Sequence, residues 1–170
     1  MHQGRTGRGP ALTRRGRLAA LLYGTAAALY GLDRLTKWLA EEHLAGRPPI
    51  QVIPKVLQLR YTTNPGGAFG LFGGLTWLFV LVSVVVILVV LLASRDLPGR
   101  LSGVALGLVL AGAVGNLTDR LIRGPGFSGE VVDFIDFHVW PVFNLADSAI
   151  VVGALLLLLQ GLRRDAADES

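Results

Sequence analysis

The sequence predicts a membrane all-α protein, with four transmembrane helices carrying a small extracytoplasmic β region. Of 170 residues, 52% are hydrophobic and 16% charged, and the mean hydropathy is +0.54. A soluble domain of this length carries more charge and less apolar content. The apolar residues gather into four runs, each of about 17–20 residues, enough to cross a ~30 Å hydrocarbon core at ~1.5 Å per residue. Nine of the sixteen basic residues flank these runs on one side, and eight of the twelve acids lie on the other.

Residues 1–17 are rich in Gly and Arg, with Arg5, Arg8, Arg14, Arg15 and Arg17 and no apolar periodicity, and read as a disordered cytoplasmic tail. The first span starts at Leu18, is uncharged to Leu32, and keeps its helical pattern through Leu39. It reads as a retained span rather than a cleaved signal peptide, because Asp33 joins the polar layer described below. Residues 40–74 follow as an outer connection. Within them "IQVIPKVLQLRYTTNPGG" alternates apolar and polar residues and ends in a tight turn, which predicts one or two short strands. Leu75 to Ala93 is a nearly uniform Leu/Val span, and Leu101 to Leu117 is the third. The second outer connection, 118–144, starts flexible and becomes extended around Val131 to Phe137. Leu145 to Leu162 is the fourth span; residues 18–164 form one membrane domain, and 165–170 a cytoplasmic C-terminal tail. Trp38, Trp77 and Trp140 fall near the outer boundaries, where interfacial anchors belong.

Orientation follows from charge. Arg5, Arg8, Arg14, Arg15, Arg17, Arg95, Arg100, Arg163 and Arg164 all flank one side, while most acids lie on the other. Both termini are therefore expected in the cytoplasm. The net charge of +4 reflects those flanks and is not read as nucleic-acid binding. Cysteine is absent, which excludes disulfides. Histidine ligands are lacking too, so neither a metal nor another cofactor is expected.

Ionisable groups at membrane depth are expensive and mark functional sites. Asp33 on the first span, Asn116, Asp119 and Arg120 on the third, and Asn144 and Asp147 on the fourth all fall about 22–27 Å above the cytoplasmic boundary. Asn64 and Asp133, on the outer connections, can fold onto this layer. Gly103, Gly107, Ala111 and Gly115 recur every four residues, a spacing that lets helices approach closely in lipid, and the next step turns Asp119 inward. Asp33 and Lys37, at i and i+4, can pair and brace the layer. Arg120 is positioned to grip a carboxylate bidentately. In "NPGGAFG", the Asn64 amide can hold a substrate backbone, and Gly66 and its neighbours let that backbone come close.

Two acids remain. Asp133 lies in an extended apolar segment, and Asp136, three residues on, points to the opposite strand face. Asn144 and Asp147 fit a capping box at the start of the fourth helix. Two carboxylates sharing one water do not both ionise easily. The charged one serves as general base and the neutral one polarises a carbonyl, a pattern of peptide hydrolysis. An ion-conducting protein is the rival class, but span two offers only Thr76 and Ser83 and span four only Gln160, which is no continuous polar path.

With "DRLTK" (33–37), "NPGGAFG" (64–70), "GNLTDR" (115–120), "VVDFIDF" (131–137) and "FNLADS" (143–148) in that order, the chain resembles the signal peptidase II family of bacteria. The resemblance implies a monomeric inner-membrane aspartyl endopeptidase that cuts diacylglyceryl-modified prolipoproteins just before the lipidated Cys. Its catalytic dyad would fall on Asp133 and Asp147. Asn64, Gly66, Asn116, Asp119, Arg120, Asn144 and Ala146 would line or brace the site, with Asp33 and Lys37 as the first-helix pair. Lipidated prolipoprotein and membrane lipids would be its partners. Arg34 departs from the family, where glutamine is common, and the connection from Arg120 to Asp133 is longer than usual.

Overall fold

In a computed structural model describing residues 13–66 and 76–168, the chain forms four α-helices and one three-stranded sheet. Residues 1–12, with Arg5 and Arg8, and residues 67–75, with the end of the "NPGGAFG" turn, lie outside the described residues, as do 169–170.

Helix α1 spans Arg14–Leu44, and its N-cap Thr13 accepts a hydrogen bond from the Gly16 amide. The expected tail therefore ends earlier than residue 17, because this cap and the arginines, good helix formers, extend the helix by one turn. α1 also outlasts the expected span: thirty-one residues reach about 46 Å, more than a hydrocarbon core. Its upper turns bury Ala40 and Leu44 against Val132 and Phe134 of the sheet.

Helices α2 (Thr76–Ala93), α3 (Arg100–Ile122) and α4 (Leu145–Asp168) complete the bundle. α3 outlasts its expected end at Leu117, and α4 runs into the segment expected as a C-terminal tail. Among the described residues, three helices are long and apolar enough to cross a membrane: α2, α3 and residues 145–163 of α4. α1 falls short on composition because Asp33, Arg34 and Lys37 interrupt it.

α3 is the central helix. Some 61% of its apolar window is buried, against 11% in α2 and 17% in α4, whose Leu and Val side chains face outward. Small residues create that centre. Gly103 meets the Leu18 carbonyl and Gly107 the Leu22 carbonyl, so α1 and α3 run parallel. On the opposite side Gly112 meets the Ala146 carbonyl and Gly153 of α4 meets that of Ala105, so α3 and α4 run antiparallel. A Cβ at Gly112 would collide with the Ala146 carbonyl oxygen, so no side chain fits there.

The sheet has the order β1 (Ile50–Ile53), β2 (Leu57–Asn64), β3 (Val131–Asp136), all antiparallel. Its third strand is the segment expected to be extended. Between β2 and β3 the register shifts by one residue, from Leu59 opposite Ile135 to Thr62 opposite Asp133. Such a bulge reverses which face the following side chains use. Gln58 and Arg60 thus reach Asp136 on one face, while Asn64 reaches Asp133 on the other. Phe143 pairs with the far side of β3 at Ile135, which draws the start of α4 against Asp133.

Candidate active site

Asn144 sits where β3, α3 and α4 meet, and it is fully buried. Its Oδ1 accepts from the Asp147 amide at 2.9 Å, and the Asp147 Oδ2 accepts from the Asn144 amide at 3.2 Å. This is the reciprocal capping box expected from the sequence. The Asn144 Nδ2 is then free for the layer above, where it donates to Asp133 Oδ1 at 2.6 Å and to Asn116 Oδ1 at 3.2 Å.

Asp133 receives a second amide hydrogen, from Asn64 Nδ2 to its Oδ2 at 3.2 Å. Asn64 is itself fixed by a local turn, its Oδ1 accepting from the Gly66 amide at 3.0 Å. Gly66 has φ +139°, and an added Cβ would press on the Phe79 ring, so both shape and conformation call for glycine. Burial pushes the Asp133 carboxyl up, the Asp147 charge pushes it further, and it lies at about 7 despite the two amide donors. Asp147 is half-buried and accepts from Asn116 Nδ2 at 2.7 Å. The structure thus brings together an acid that holds its proton near neutrality and a carboxylate held at both oxygens, a pair suited to general acid–base work.

Below this pair lies a buried charge cluster. Lys37 Nζ forms ion pairs with Asp33 Oδ2 at 3.0 Å and Asp119 Oδ2 at 2.9 Å, and donates a hydrogen bond to Asn116 Oδ1 at 3.1 Å. An ammonium only donates, so Asn116 must turn its oxygen to Lys37 and its NH₂ to Asp147. Asp33 uses Oδ1 to accept from the Ala146 amide at 3.1 Å, which ties α1 to the first turn of α4. The Asp33–Lys37 brace and the inward Asp119 follow the sequence expectation.

Arg120 does not. Its Nη1 donates to the Asn116 carbonyl within its own helix, and its guanidinium stacks on the Phe79 ring at 5.3 Å. The carboxylate of Asp119 instead binds Arg34 Nη1 at 2.5 Å and Arg123 Nε at 3.0 Å, and Arg123 continues to Glu41. Helix geometry explains the exchange. Arg120 is one residue past Asp119, about 100° around α3, and faces α2 rather than α1. Arg34 and Arg123, missed as site residues, do carry a signal: Arg123 is at i+4 from Asp119, and Arg34 is a charge inside an apolar run.

A groove of about 410 Å³ opens beside the pair. Asn64, Asn116, Arg120 and Asp147 form its polar end, and Phe79, Val82, Val86, Ala113, Val142 and Ile150 its apolar walls. Trp140 stands at the rim, 69% exposed.

A family model described as signal peptidase (SPase) II matches residues 25–163. The chain is 45% identical to a lipoprotein signal peptidase of Rhodococcus jostii over 82% of this chain and 71% of that protein. It is 41% identical to one of Desulfitobacterium hafniense over 85% of this chain and 95% of that protein. A bacterial membrane enzyme solved by the in meso method at 2.3 Å resolution superposes with TM-score 0.75 and 28% identity, covering 86% of this chain and 89% of that one.

Proposed function

The chain belongs to the signal peptidase II family, a family of membrane enzymes, and from that premise we propose an aspartyl endopeptidase whose catalytic pair is Asp133 and Asp147. Its substrate is a diacylglyceryl-modified prolipoprotein, cut just before the lipidated Cys. The observation that carries this reading is the double role of one buried residue, Asn144, whose side-chain amide donates to the Asp133 carboxylate while its backbone N–H donates to that of Asp147.

The chemistry follows from the two environments. Asp147 takes a proton from the attacking water, whose oxygen bonds to the scissile carbonyl carbon. Asp133 gives its proton to the carbonyl oxygen. As the tetrahedral intermediate collapses, the C–N bond breaks, the leaving nitrogen takes the proton held by Asp147, and Asp133 recovers its own. Asn64, beside Asp133, and Arg120, in the groove wall, serve the substrate backbone, and Gly66 leaves it room. Asn116, Asn144, Ala146, Asp119, Asp33 and Lys37 hold the pair in place. The apolar groove suits a substrate that is itself a membrane-anchored helix with acyl chains.

The architecture fits a bilayer in which α1 is the fourth span, with Asp33, Arg34 and Lys37 turned to protein or to the outer interface. Both termini are cytoplasmic, the location is the bacterial inner membrane, the sheet and pair lie near the outer face, and the chain works as a monomer. Residues 18–164 make up the membrane peptidase domain. The test is Asp133→Asn and Asp147→Asn in purified protein, each assayed on a lipidated precursor. Each variant should fold and lose cleavage; full activity in either removes the assignment.

A further inference from the structure

At the opposite end of the bundle from Asp133 and Asp147, the first turns of α1 and α3 enclose a second recess of about 530 Å³. Arg14, Arg17 and Arg100 wall it, Leu18 and Leu21 form its floor, and Gly99 completes it. We propose that this recess binds the phosphate of an anionic phospholipid in the leaflet opposite the carboxylate pair.

Depth is the first argument. Arg14 lies nineteen residues before Asp33, and Arg100 nineteen before Asp119, on helices that run parallel. At ~1.5 Å per residue both arginines stand about 28 Å below the acids, one hydrocarbon thickness away. They therefore meet the headgroup level of the far leaflet.

Charge is the second. No acid lines the recess, and among the described residues none of the three arginines joins an ion pair. Arg14 Nη2 donates to the Pro98 carbonyl at 3.0 Å, which steadies its guanidinium while leaving other N–H groups to face an anion. Both helices begin here, so their positive dipole ends add to the arginines, and the α3 N-cap Gly99 supplies no side-chain acceptor.

Form is the third. The positive-inside rule asks only for basic loops, and Arg95 and Arg163 satisfy it from outside the recess. Here three arginines from two helices converge above a leucine floor. A phosphate among the arginines with acyl carbon on Leu18 and Leu21 uses both parts, whereas free phosphate uses only one. This inference rests on the helices spanning a bilayer, not on the chemistry at the other end.

The test is native mass spectrometry of the detergent-purified full chain, titrated with phosphatidylglycerol or phosphatidylcholine, with millimolar inorganic phosphate as competitor. Wild type should prefer phosphatidylglycerol. At about fivefold per arginine, the Arg17→Gln/Arg100→Gln double variant should lose about 25-fold in affinity. Arg17→Lys/Arg100→Lys should keep most of it, and Arg95→Gln/Arg163→Gln, with the same charge removed elsewhere, should bind as wild type. A melting scan verifies folding; should the double variant unfold, Arg17→Gln alone must show the fivefold loss. Equal binding of the two lipids, equal loss in the Arg95/Arg163 variant, or full displacement by phosphate overturns the proposal. Cleavage is not the readout, so failure here leaves the peptidase assignment intact, and loss of that assignment leaves this one.

Discussion

Lys37→Met replaces a buried ammonium by an apolar chain of similar length. The ammonium touches Asp33, Asp119 and Asn116 within 3.1 Å, and all three are buried. Removing one partner of a buried ion pair costs about 3–5 kcal/mol, because the charge left behind is uncompensated. For a chain of this size that corresponds to a melting temperature lower by about 6–20 °C. The two acids do not share the loss equally. Asp119 keeps Arg34 and Arg123, whereas Asp33 keeps only the Ala146 amide. Adding Asp33→Asn to Lys37→Met should therefore recover more stability than adding Asp119→Asn, which strips a carboxylate from two remaining arginines. Thermal unfolding of the four purified proteins in one detergent checks this. Cleavage should also fall in the single variant while it is still folded, since Asn116 loses the donor that orients it. Equal recovery by the two asparagine substitutions, or a single variant within ~1 kcal/mol of wild type, would refute the reasoning.

Cleavage should decline as pH rises past about 7, because the folded Asp133 carboxyl then loses its proton; a rate–pH profile reads this, and an undiminished rate at pH 9 contradicts it. The same group binds a proton more tightly folded than unfolded, so its stabilising contribution is complete below pH 3.8 and is lost as pH climbs to about 7. Asp133→Asn should flatten that part of the stability profile, as pH-dependent melting would show. Asp136 behaves in the opposite sense: burial pushes it up, but Gln58, the His138 amide and Arg60 together hold it at about 2. Its contribution should be present above pH 3.8 and disappear as pH falls to about 2, and Asp136→Asn should abolish that acid-side slope. Gly112→Val should part α3 from α4 at the Ala146 carbonyl, costing at least the ~1–3 kcal/mol of an overpacked core and displacing Asp147, measured as lower melting temperature and lost cleavage together.

The four helices were legible because outward-facing Leu and Val leave long apolar runs, and the layer of polar residues because a constant rise converts sequence separation into height along the bundle. Their ends were less so. Ala40 and Leu44 prolong α1 beyond its expected end by packing on Val132 and Phe134, a contact with residues about ninety positions away that no local pattern announces. The capping box at Asn144 and Asp147 was legible for the opposite reason, since its partners are only three positions apart. For Arg120 the sequence supplied the height but not the direction: one step along the helix from Asp119 is a 100° turn, which carries its guanidinium to Phe79 and the groove. The register shift in β2 was not legible at all, since "LQLRYTTN" alternates well enough without it.

That shift decides the site. Gln58, Arg60 and Asn64 are separated by even steps, so a regular strand would place all three on one face. Asp133 and Asp136 are an odd step apart and take opposite faces. A regular β2 could therefore serve only one of the two acids. With one extra residue before Thr62, it serves both: Gln58 and Arg60 stabilise Asp136 as a charged, structural carboxylate, and Asn64 reaches Asp133 with a neutral amide. The two acids of "VVDFID" thus acquire opposite electrostatic fates, one at about 2 and the other at about 7, from the same pair of strands. Asp133 can stay protonated because the bulge sends the one cation of β2, Arg60, to the other face.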